Sequence, residues 1–204
     1  MKKMILAALV AVASLSANAQ VWVGGEVGFT ANKTTDNGTK IGNASYFNLI
    51  PEIGYVVNDK FDVAIALGLS HYNGDGNVSG VVANDIVVSN KGVNVNRNSF
   101  KLNPYVRYKF AQAGDFTFFA DGGFAFYMIH NNQYKGADGK TKNANAWDLA
   151  IKPGIAYNIS DKVSLVAHIG RLSYSFGKWE DRKTNAFDMG VTGNDLTFGA
   201  YVSF

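Results

Sequence analysis

One repeated frame constrains this chain more than any other feature. The pattern [LI]-x-P-x-[IV]-x-Y occurs at Leu49–Pro51–Ile53–Tyr55, at Leu102–Pro104–Val106–Tyr108 and at Ile151–Pro153–Ile155–Tyr157. It takes up all 3 prolines. A spacing of two puts these residues on one face of a strand. Phe198-x-Ala200-x-Val202-x-Phe204 keeps the frame without the proline. A second pattern leads from Val21 to Gly28, from Phe61 to Gly68, from Phe116 to Gly123 and from Val163 to Gly170. The two patterns alternate along the chain, which reads as four consecutive hairpin units.

Period-two alternation runs through the rest as well. Phe61, Val63, Ile65, Leu67 and Leu69 alternate with Asp62, Ala64, Ala66, Gly68 and Ser70, and other windows behave alike. This is the mark of strands with two unlike faces, and from Val21 onward no window shows a convincing helical i, i+3, i+4, i+7 pattern. Short connections are expected at 57–60, 111–115 and 160–162. Long polar ones, with NGDGN and GADGK turn chemistry, are expected at 31–44, 73–98, 129–146 and 175–194. Proline lacks the N–H of a strand ladder, so its recurrence at one depth predicts a shared local bulge at Pro51, Pro104 and Pro153.

The first residues read as an address. Lys2 and Lys3 precede an apolar stretch, Met4 to Leu15, and Ala17-Asn18-Ala19 supplies small residues for cleavage between Ala19 and Gln20. Residues 1–19 are therefore expected to be a signal peptide and 20–204 the mature domain. Removing the leader takes two lysines and no acid, so the formal net charge falls from +3 to +1. That leaves no electrostatic case for nucleic acid. The absence of cysteine excludes disulfide scaffolds and thiolate chemistry.

An eight-stranded antiparallel up-and-down barrel follows, and its faces decide the solvent. A soluble cup turns bulky apolar residues inward. Here one face is apolar and aromatic while the other mixes charges with glycine and alanine, which cannot fill a dry core. Bulky residues facing lipid around a polar, closed interior satisfy the backbone without water. The low charged fraction, 17% against a usual ~25%, fits a half that must carry almost none. Tyr55, Tyr108, Tyr157 and Phe204 fall near the short turns, where an interfacial girdle belongs.

The terminal run Thr197–Phe204, with Gly199, Val202 and Phe204 in place, resembles the C-terminal assembly signal of outer-membrane barrels. With the leader, the proline frames and the alternating short and long connections, the mature chain resembles the small bacterial outer-membrane β-barrel proteins. These include the transmembrane domain of outer-membrane protein A and the X and W types. The resemblance implies an all-β transmembrane barrel in the outer membrane, both mature termini periplasmic. It also implies outer-membrane lipids, lipopolysaccharide and the barrel-assembly machinery as partners of a monomer.

Counting from the short turns groups lumen-facing Glu26, Asp121 and His168 near one level, with Glu52, Arg107 and Lys152 close by. Glu52 is expected to face Lys152 across the lumen. An eight-stranded barrel is just wide enough for side chains to fill, so these groups are expected to form an ion-paired plug. Gly28, Gly68, Gly123 and Gly170 would leave room for Tyr105 and Tyr201. The alternative is a narrow pore or a conduit for small hydrophobic solutes. Lipid A-modifying enzymes share the scaffold, but neither His71 nor His130 has a spaced serine and acid, so no catalytic residue is expected. No metal-ligand spacing appears and no cofactor is expected. Recognition of an extracellular protein or surface ligand falls to the loops 73–98 and 129–146.

Overall fold

A computed structural model describes residues 21–36, 39–75, 94–135, 139, 141–179, 182–190 and 196–204. Ten strands run in chain order. They are β1 (Val21–Asp36), β2 (Thr39–Val56), β3 (Phe61–Asp75), β4 (Asn94–Ala113), β5 (Phe116–Lys135), β6 (Thr141–Asn158), β7 (Val163–Ile169), β8 (Arg171–Trp179), β9 (Arg182–Gly190) and β10 (Leu196–Ser203). Each of β1 to β6 pairs antiparallel with the next. The end of β6 near the short turns pairs with β7, and its other half pairs with β8. Next, β7 pairs with β10 and β8 with β9, so β7–β8 and β9–β10 are the seventh and eighth walls. The barrel closes where Trp22 to Glu26 pair with Ser203 to Gly199.

Gly170 divides the seventh wall. The register with β6 is Gly154 to His168 on one side of it and Ile151 to Leu172 on the other, one residue out of step. Its φ of 94° suits glycine alone, so a side chain here would be strained. Gly170 thus supplies a bulge.

The alternation becomes an inverted solvent arrangement. Phe61, Val63, Ile65, Leu67 and Leu69 all face outward, Leu69 being 52% exposed. Charged Glu26, Asp62, Arg107, Asp121, Asp148 and His168 are buried in the lumen, Glu26 at 7%. Such a molecule is stable only if its outside meets lipid.

The prolines do not sit in bulges. Pro51, Pro104 and Pro153 pair in unbroken register with Gly25, Ile65 and Ala120 of the preceding strand. Toward the following strand, pairing lapses between Leu49 and Glu52 and between Leu102 and Tyr105, then resumes without a slip. The missing N–H faces that side, so the ladder opens locally and keeps its count. At Pro104 the Asn103 amide donates to the Phe124 carbonyl at 3.1 Å, the partner a backbone N–H would have served. Only beside Pro153 does a one-residue shift occur, and it lies on the neighbouring wall at Gly170.

The long polar connections are mostly strand. β1 and β2 pair out to Asp36 and Thr39, and β8 and β9 out to Trp179 and Arg182. Beyond the lipid both faces are wet, so the hairpins lose the apolar alternation that marks a strand in sequence. Residues 76–93, at the centre of the 73–98 segment, lie outside the described residues.

Candidate functional site

The short-turn half of the lumen is built from inward-facing residues of five strands. Tyr105 and Arg107 come from β4, Phe119 and Asp121 from β5, Glu26 and Trp22 from β1, His168 from β7 and Tyr201 from β10. Arg107 Nε and Nη2 donate to Asp121 Oδ1 and Oδ2, each at 2.8 Å. His168 joins Asp121 Oδ2 through Nε2 at 2.8 Å and Glu26 Oε1 through Nδ1 at 2.7 Å. Carboxylate oxygens only accept, so this chain is fully satisfied when both ring nitrogens carry a proton. Two cationic and two anionic groups then balance across the barrel.

Aromatic rings enclose the arginine. The guanidinium carbon lies 4.0 Å from the Phe119 ring centroid, 5.1 Å from Tyr201, 5.4 Å from Trp22 and 5.8 Å from Tyr105. These distances are in cation–π range, and exclusion of water strengthens the attraction. Phe119 is fully buried and meets the His168 ring edge-on at 5.4 Å. Glycines on neighbouring strands make the space. A Cβ on Gly24 would stand 1.8 Å from a Tyr201 ring carbon, one on Gly123 2.6 Å from Tyr105 Cβ, and one on Gly154 2.4 Å from Phe119. Of the glycines expected to admit Tyr105 and Tyr201, Gly123 does so. Gly28 faces Asn48 and Gly68 faces Lys101.

Glu52 is not held by Lys152. It accepts hydrogen bonds from Tyr105 at 2.5 Å and Tyr201 at 3.0 Å. Strand tilt shifts the levels of opposed strands, which a count along the sequence does not capture. Reading the sequence also missed two lumen pairs, Arg171 with Asp148 and Lys109 with Asp62. Both pairs stand on inward positions of the alternation, which was the available signal.

Toward the hairpins lie two small cavities. One of about 30 Å³ is lined by Glu26, Glu52, Lys101, Asp148, Lys152 and His168 among others. The second, about 40 Å³, has Asn48, Ser99, Lys101, Tyr127, Lys152 and Thr197 in its wall. Both are of the size that holds a few waters.

Outside the barrel, His71 Nδ1 lies 2.8 Å from Asn98 Oδ1, and His130 Nδ1 lies 2.9 Å from Asn143 Oδ1. Both histidines are exposed, each the first polar outward position past an apolar run. Val202 and Phe204 also face outward, and Gly199 lets the Glu26 side chain pass 3.1 Å from where a Cβ would stand. Ala19 and Gln20 lie outside the described residues.

The profile of the outer membrane protein beta-barrel domain matches residues 4–204. The chain belongs to this family. It is an integral barrel of the bacterial outer membrane. No match was found among curated proteins. Among solved structures, this outer-membrane barrel is similar to Neisserial surface protein A at 14% identity, covering 91% of this chain and 97% of the other, with a TM-score of 0.49. The N-terminal β-barrel domain of Pseudomonas aeruginosa OprF matches at 15% identity over 92% and 100%, TM-score 0.44. Ail, the attachment invasion locus protein of Yersinia pestis, matches at 14% over 90% and 97%, TM-score 0.42.

Proposed function

We propose that this barrel serves a structural and surface-interaction role, with a lumen closed by its own side chains and its hairpins as the recognition surface. The observation that carries the reading is the ion-paired chain from Arg107 through Asp121 and His168 to Glu26, packed among Phe119, Tyr105, Tyr201 and Trp22. Eight strands leave an interior that side chains fill. A non-catalytic role accords with His71 and His130, whose Nδ1 atoms are engaged with asparagine amides rather than with a nucleophile. The partners on this reading are outer-membrane lipids around the barrel wall, lipopolysaccharide on the hairpin side, and the assembly machinery at the C-terminal run. An extracellular protein or surface ligand would meet the hairpins at 73–98 and 129–146. The protein acts as a monomer with both mature termini periplasmic, after cleavage following Ala19.

The test is conductance of the purified full barrel in planar bilayers. A closed lumen gives no steady current. Reproducible openings that Glu52→Gln or Lys152→Met removes would replace this reading with a narrow pore. Unchanged lipid A masses in a deletion strain are expected, and an altered acylation pattern would revive the enzyme.

A further inference from the structure

Charge accounting around the two cavities leaves a surplus. Four carboxylates line the two cavities: Glu26, Glu52, Asp121 and Asp148. Lys101, Lys152 and His168 line them too, and Arg107 and Arg171 pair with two of the acids. Three of the carboxylates are already engaged by Arg107, His168 and Arg171, and the fourth, Glu52, accepts from two phenols. Lys101 and Lys152 have no carboxylate within ion-pair distance among the described residues. Among the described residues, Lys101 has the Tyr127 ring 5.8 Å from its ammonium. Counted with His168 charged, five cationic groups face four anionic ones, so one positive charge is unbalanced inside a confined wall.

A second observation points to the same place. Ser99 lies two residues from Lys101 on the inward face of β4, is buried at 7%, and its hydroxyl has no hydrogen-bond partner among the described residues. It lines the 40 Å³ cavity with both lysines. A buried donor without an acceptor costs free energy, and two ammonium groups sharing a cavity repel. One monovalent acceptor would relieve both. At roughly 10–15 Å³ per water-sized sphere, the cavity of about 40 Å³ has room for a monatomic anion with a water.

We propose that the lumen on the hairpin side binds a single small inorganic anion of the chloride class, held by Lys101, Lys152 and Ser99. Gly68 is part of this arrangement, since a Cβ there would stand 2.9 Å from Lys101 Cβ. The inference rests on the closed-lumen reading, because a water-filled channel would screen the lysines without a bound ion.

The test is chloride-35 NMR on the refolded full-length barrel in detergent micelles, with sodium gluconate holding ionic strength constant. Folded wild type should broaden the chloride line saturably, and bromide should reverse the broadening. Lys101→Met, Lys152→Met and Ser99→Ala should lose the saturable part, whereas Lys183→Met, on an exposed hairpin position, should keep it. Wild type that broadens only linearly with chloride overturns the site, as does saturable broadening that survives both lysine variants. The wild-type titration decides even if a lysine variant fails to fold. Conductance separates the two ideas. A steady current sinks the closed lumen, while a silent barrel without saturable chloride binding sinks the anion site alone.

Discussion

Asp121→Ala is the sharpest perturbation of the lumen chain. It removes both acceptors of Arg107 and the acceptor of His168 Nε2. The guanidinium stays among four rings in a residue only 5% exposed, so water cannot replace the carboxylate. Breaking a buried pair by removing one partner costs about 3–5 kcal/mol, since the surviving charge is stranded. With a urea slope of about 1–3 kcal/mol/M, the unfolding midpoint should fall by roughly 1–5 M. The measurement is urea unfolding of the refolded barrel followed by tryptophan fluorescence, with Trp22 reporting from inside the cage. Arg107→Met added to Asp121→Ala takes the stranded charge away, and should bring stability back to within about 2 kcal/mol of wild type. A single variant within about 1 kcal/mol of wild type would refute the reasoning. So would a double variant as unstable as the single.

Three further outcomes follow from neighbouring geometry. Gly123→Ala should cost about 1–3 kcal/mol, because its Cβ would meet Tyr105 Cβ at 2.6 Å and the Pro104 carbonyl at 2.9 Å. Gly122→Ala, whose Cβ meets nothing within 4 Å, should be near neutral in the same urea titration. Ile65→Arg, in the middle of the outward apolar run of β3, should cost about 2–4 kcal/mol in vesicles, against little for Thr184→Arg on the exposed hairpin. Asn103→Ala should cost about 1–3 kcal/mol by orphaning the Phe124 carbonyl, and clearly less in a Pro104→Ala background where a backbone N–H returns. Equal costs in the two backgrounds, read as a double-mutant cycle of unfolding free energies, would disprove the substitution of side chain for ladder.

These residues also show which parts of the site were legible in one dimension. Glu26, Asp121 and His168 could be grouped by counting from the short turns, and the lumen joins them through His168. The count sets Glu52 opposite Lys152, whereas its partners Tyr105 and Tyr201 stand on β4 and β10. A phenol reaching across a lumen leaves no spacing to read. Lys101 and Ser99 were passed over because alternation marks a position as inward without saying what it faces.

Alternation alone determined that β1 to β6 have a lipid face and a lumen face, because side chains on a strand reverse at every residue and lipid tolerates one chemistry only. The proline frames and the glycine pattern likewise determined four hairpins and their order. Tertiary structure decided the rest. Tilt and register set which inward groups share a level, so Arg107 found its aromatic cage and Glu52 its phenols. Gly170 set where the seventh wall steps out of register, and closure of β10 on β1 brought Tyr201 and Glu26 into one small volume. Such contacts depend on how far each strand slides past its neighbour, a distance that hydrogen-bond ladders choose and that no period in the chain encodes.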